Sequence, residues 1–158
     1  MSGSSLKYES GISYGRFKPE CKKIMRDNDY DIDMVQVIGD FLEMGHVENI
    51  IAMFKQDTVL YNLAGALVSD ERFAVRLGTA VLFEELAVLQ PVEISLAIPS
   101  LLPLLREENP ILRGEAATIL GIIGSPAALQ HLLPLKEDPD PQVREIIKDI
   151  INQGVARP

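Results

Sequence analysis

EENPILRGEAATILGIIGSPAALQHLLPLK, residues Glu107 to Lys136, reads as two short helices joined by a tight turn. Leu112, Ala116, Ile119 and Ile123 recur at helical offsets and share one face. Asn109 suits the N-cap of the first helix and Pro110 its first helical position. Gly124 can end that helix in the left-handed region. Ser125-Pro126 repeats the cap-then-proline logic for the second helix. Ala128, Leu129, Leu132 and Leu133 supply its apolar face. Neither helix alone can bury its stripe, so each needs a neighbour.

The neighbour is more of the same unit. Arg76, Arg113 and Arg144 can be superposed. Each follows an apolar residue, Val75, Leu112 or Val143. Three residues later come Thr79, Ala116 and Ile147, and six later Leu82, Ile119 and Ile150. Six before each arginine stands an acid: Asp70, Glu107 and Asp138. Apolar positions align by chance in any helical protein, but an acid and an arginine held six apart in three successive units is a repeat.

The three units read SDERFAVRLGTAVLFEEL (Ser69–Leu86), EENPILRGEAATILGIIG (Glu107–Gly124) and DPDPQVREIIKDII (Asp138–Ile151). An acidic turn, Val-Arg or Leu-Arg opening a helix, then a leucine-rich second helix resembles the HEAT-repeat family, in particular the short HEAT-like repeats of phycobilisome lyases. The resemblance implies an all-α, right-handed α-solenoid of about four short helix pairs. It also implies that Asp70, Glu107 and Asp138 bond with Arg76, Arg113 and Arg144 as a structural ladder between adjacent repeats. It covers residues 69–153 well and the front half poorly.

The remaining chain is read around that frame. Residues 1–15, rich in Ser and Gly, are expected to form a flexible N-terminal arm, and residues 16–158 a single helical repeat domain. Arg16 to Arg26 carries five basic residues and suggests a short helix after Pro19. Asp27-Asn28-Asp29-Tyr30-Asp31-Ile32-Asp33 has acids at alternate positions, as calcium loops do. Ile32 and Ile38 stand where such a loop needs Gly and a bidentate Glu, so an acidic turn capping the next helix is expected instead. Met34–Met44 and Val47–Phe54 then form a degenerate first unit within residues 33–68, with Gly45 matching Gly124 and Met34 in the arginine's place. Asp57–Val68 reads as a further helix that matches no half-repeat. Ser69–Leu89 reads as the longest helix. Pro103 and Pro134 fall late in the second helices, where a proline bends or ends a helix.

The 158 residues suffice for a sizeable core; 47% are hydrophobic but only 6% aromatic, which suits helices packed with Leu, Ile and Ala. A net charge of −8 argues against nucleic acid held on a broad basic face. The single cysteine, Cys21, excludes an internal disulfide framework. With no apolar N-terminal run and none of about 18 residues that could span a bilayer, a cytoplasmic chain without membrane contact is expected. There is no HExxH, CxxC, P-loop or GxSxG, so neither catalytic residues, a cofactor nor a metal site is expected. Glu84-Glu85 and Glu107-Glu108 are adjacent pairs whose members point apart on a helix.

Three functions fit. The first is a non-catalytic scaffold that binds an unidentified protein partner on a concave face lined by second helices. The repeat register puts Ser100, Gln130, His131 and Pro134 on that face. An apolar unpaired end would also serve a homodimer. The second, from the resemblance alone, is a bilin lyase-like enzyme or pigment chaperone. The third, a relative of HEAT-like DNA-repair glycosylases, needs a basic groove with aromatic side chains, which this composition does not supply.

Overall fold

The computed structural model describes residues 27–156. Helix α1 spans Asp27–Glu43 and α2 Val47–Gln56. A 3-10 turn, Thr58–Leu63, runs into α3, Ala64–Val68. Helix α4 is Phe73–Leu89. The segment after it is broken into a 3-10 turn (Glu93–Ala97), α5 (Ile98–Leu101) and another 3-10 turn (Leu102–Arg106). Helix α6 is Pro110–Ile123 and α7 Pro126–Gln130, followed by a 3-10 turn at Leu133–Glu137. Helix α8 is Pro141–Ala156. Among the described residues there is no strand.

The long helices α1, α4, α6 and α8 pack in that order and form one layer. The short, broken segments between them form the second. Their breaks follow from sequence. Pro103 and Pro134 each stand second in a 3-10 turn, where a missing backbone donor costs least. The caps of the central unit are made as its residues require. Asn109 Oδ1 accepts from the Ile111 amide at 3.0 Å, and Ser125 Oγ from the Ala128 amide at 3.2 Å. Gly124, at φ 63°, closes α6 with its amide on the Leu120 carbonyl.

Two expectations are corrected. Asp27–Asp33 is not a turn that caps the next helix but lies within α1 itself. The helix sought over Ser69–Leu89 begins only at Phe73, because Asp70 Oδ1 takes the Arg72 amide at 2.9 Å and holds a turn. The arm at residues 1–15, the basic helix at Arg16–Arg26 and Cys21 lie outside the described residues.

The core runs through both layers, from Met34, Ile38 and Leu42 of α1 to Val143 and Ile147 of α8. In the front half it is aromatic. Phe54, Tyr61 and Phe83 are fully buried and meet edge to face, with centroids 5.0–6.4 Å apart. They lock α2, the Thr58–Leu63 turn and α4 together without a tryptophan.

The segment Thr58–Val68 finds its place through a repeated turn. The Asp70 amide donates to the Leu67 carbonyl, Glu107 to Leu104, and Asp138 to Leu135, at 3.1–3.3 Å. Leu67, Leu104 and Leu135 are all buried. Thr58–Val68 therefore stands before the acid of its turn as Glu93–Arg106 and Leu133–Glu137 stand before theirs. It is a second-layer segment in register, and α2 is the added element.

Candidate functional site

The three superposed arginines share one contact. Nη1 of Arg76 donates to the carbonyls of Asp70 and Glu71, at 2.8 and 3.0 Å. Nη1 of Arg113 does the same to Glu107 and Glu108, at 2.8 and 2.9 Å. Nη1 of Arg144 does so to Asp138 and Pro139, at 2.6 and 3.1 Å. The spacing of six thus brings each arginine back to the backbone of its own turn rather than to the acid's side chain.

The side chains of the acids behave differently at each seam. Arg113 turns Nε and Nη2 to both oxygens of Asp138 in the next unit, at 2.9 and 2.8 Å. Both residues are buried. The guanidinium hydrogen bond holds the Asp138 carboxyl below the ordinary range despite desolvation, with the Asp140 amide assisting. Arg76 does not reach Glu107. Its Nε meets Glu115 at 3.4 Å, and among the described residues the Glu107 carboxylate makes no hydrogen bond. The glutamate is one methylene longer and exposed, whereas Asp70 and Asp138 each also cap the amide two residues on. At the front seam Arg72 reaches back to Asp40 at 2.7 Å and Glu43 at 2.9 Å while also gripping Asp70. Arg72 is chiefly what depresses the Asp70 carboxyl. No feature of the repeat alignment singled out Arg72; its place two residues after the acid in a turn was the available signal.

The candidate groove residues separate. Ser100 is half-buried, and its Oγ is committed to the Gly65 amide at 3.1 Å and the Ala97 carbonyl at 2.9 Å. It fastens two units and has no free hydroxyl to offer a ligand. Gln130, His131 and Pro134 are exposed. None of the four borders the clefts that the first layer forms.

The first cleft, about 500 Å³, lies between α4, α6 and α8. Ala87, Ile122, Leu129, Ile146 and Ile150 give it apolar walls, and Glu84 and Asp149 stand among its lining. A second cleft of about 310 Å³ shares Thr118 and Ile146 with it and adds Ile111, Glu115 and Asp140. The two make one continuous groove along the α6–α8 seam. Beside it, α4 exposes Phe73, Leu77, Val81 and Val88, with Phe73 64% and Val88 79% accessible. These positions fall on one helix face. The exposed apolar side chains of the second layer, Val59, Val92, Leu96 and Leu133, are scattered singly along it. A third cleft, about 520 Å³, sits on the far side of α8 and is lined by Lys136, Arg144, Lys148 and Ile151. Among the described residues no three His, Cys, Asp or Glu side chains gather as metal ligands, and no helix is long and apolar enough to cross a membrane.

A family model described as HEAT repeats matches residues 66–149. No curated protein and no solved structure matches the chain.

Proposed function

Because the chain belongs to the HEAT-repeat family, we propose that it is a non-catalytic, cytoplasmic protein-binding scaffold, a right-handed solenoid of about four short helix pairs. The observation that carries this reading is the apolar groove of α4, α6 and α8 with the exposed stripe beside it. Contiguous apolar surface of this kind on a polar protein marks a contact face. The partner it suits is an amphipathic helix, whose apolar side would lie on Ile122, Ile146 and Val88. Its flanks would be basic, because Glu84, Glu115, Asp140 and Asp149 line the groove and the whole chain carries −8. The second-layer residues Gln130, His131 and Pro134 would then take no part.

Selection of helical peptides from a displayed library tests this. The expected winners carry Leu or Ile at helical spacing with Lys or Arg on the flanks. Their affinity should fall at least tenfold on the double substitution Val81→Asp, Val88→Glu, with the circular-dichroism spectrum unchanged. Winners insensitive to that pair but lost on Gln130→Ala, His131→Ala would move the site to the second layer.

A further inference from the structure

The far side of α8 repeats a seat that is filled one unit earlier, and among the described residues none occupies it. On α6 that seat is Arg113 with Gly114, Ala117, Leu120 and Gly121, the positions that admit α8 and Asp138. A Cβ on Gly121 would lie 2.8–3.0 Å from three atoms of Ile150 of α8, so this glycine sets how closely the helices approach, while one on Gly114 would meet the tip of Ile146 at 3.0 Å. The same register on α8 gives Arg144, Glu145, Lys148, Ile151 and Asn152, which line the third cleft. Lys136 completes it, where the preceding units have the buried Leu105 and Val68.

Three consequences follow from those substitutions. Glu145, Lys148 and Asn152 are too large to let another helix pack as α8 packs on α6, so this face does not simply repeat the seam. The arginine is nevertheless retained and held in the same pose, Nη1 clamped on its own turn's carbonyls. Its Nε and Nη2, which in Arg113 take a carboxylate, bond no acid among the described residues. Finally, two of the changed positions, Leu105 to Lys136 and Ala117 to Lys148, add cations beside it. A face needing only to be wet in so acidic a chain would be served equally by acids or amides.

We infer that the cleft of Lys136, Arg144 and Lys148 is a docking seat for an aspartate-led turn of a partner protein, its carboxylate taking the place on Arg144 that Asp138 takes on Arg113. The turn enters without a close-packed helix behind it, and Ile151 gives its apolar neighbour a floor. The pair forms a two-pronged, charge-assisted contact at a site backed by protein. The two lysines attract the acid and, among the described residues, leave Glu145 as the only opposing charge in the lining. This seat is independent of the α4–α6–α8 groove and stands or falls separately.

The probe is the acetylated, amidated hexapeptide Glu-Asp-Pro-Asp-Pro-Gln, the sequence of Glu137–Gln142, with an Asn-for-Asp twin. Added to the ¹⁵N-labelled full chain, the first peptide should saturably shift the Nε–H signal of Arg144 and leave that of Arg113 in place. The twin should bind at least fivefold more weakly. Arg144→Gln, and separately Lys136→Glu with Lys148→Glu, should each weaken the acidic peptide at least fivefold while the melting curve is retained. Equal binding of the two peptides, an unchanged dissociation constant in Arg144→Gln, or no shift at Arg144 at millimolar peptide would each overturn the seat.

Discussion

Gly65 of α3 lies against the backbone of Ser100: a Cβ built on it would stand 2.9 Å from the Ser100 carbonyl carbon and closer still to its oxygen. The Gly65 amide meanwhile donates to Ser100 Oγ. The two second-layer segments are therefore fitted backbone to backbone, a contact no side chain can yield to. Gly65→Ala should destabilise the fold by about 3 kcal/mol or more. Gly114→Ala meets only the terminal Cδ1 of Ile146 at 3.0 Å and gains about 1 kcal/mol of helix propensity, so it should stay within about 1 kcal/mol of neutral. Urea unfolding of both variants checks the contrast; equal losses would show that the Gly65 contact relaxes freely.

Arg113 and Arg144 make the same turn contact but differ in their carboxylate. Removing Arg113 leaves Asp138 buried with its main partner gone, and breaking such a pair is costly. Arg113→Ala should lower the melting temperature by roughly 6–10 °C. Arg144 is exposed, so Arg144→Ala should lower it by less than about 3 °C. Thermal melts by circular dichroism with similar shifts for both would remove the buried pair from the account of stability.

The depressed carboxyls of Asp138 and Asp70 fix a pH dependence. Their native pKa values lie below those of the unfolded chain, so the unfolded chain gains protons first as pH falls. The stability they supply is present in full above about pH 5 and begins to fall near pH 4. Asp138→Asn should be less stable at pH 7 and lose less on acidification, the two curves converging toward pH 2. Parallel curves from pH 7 to pH 2 would contradict the assignment.

Tyr61 gives the opposite limb. Burial, then the nearby Glu93 carboxylate, pushes its hydroxyl up to about 12. The neutral hydroxyl donates to Gln90 Oε1 at 2.8 Å. A raised native pKa supplies stability that is complete below the unfolded value near 10 and is lost as pH rises through about 12. Absorbance titration at the phenolate band should show one component in that upper range, missing from Tyr61→Phe, which itself should cost about 1 kcal/mol at neutral pH. Loss in Tyr61→Phe of a component that titrates near pH 10, instead of the one in the upper range, would refute the burial.

What could be read from sequence was whatever short-range chemistry dictates. Asn109, Ser125 and Gly124 cap and close helices in residues next to them, and the structure uses each as its type suggests. The repeat itself was legible because Val75, Leu112 and Val143 recur beside an arginine that stands six residues after an acid. Thr58–Val68 reads as a helix because Leu60, Leu63, Ala64 and Leu67 keep helical spacing, but that spacing does not place it: its tie to the repeat is the buried Leu67, three before Asp70, as Leu104 and Leu135 stand before their acids. The partner of Arg76 is Glu115 rather than Glu107, a contact between α4 and α6 that depends on how the two helices meet and lies outside the repeat's spacing of six. Ser100 looked like a groove residue because its register is outward, yet the approach of Gly65 draws it into the seam. The stripe of Phe73, Leu77, Val81 and Val88 was present in the text and was absorbed into the helix's overall apolarity.

Each boundary turn closes on atoms of its own unit: a leucine carbonyl, the acid's amide and the guanidinium that follows. Nothing in that closure depends on how many residues lie between one turn and the next, and the arginines indeed stand 37 and then 31 residues apart. The chain thus carries punctuation at its acids, each stop spelled within its own unit whatever the length of the phrase before it.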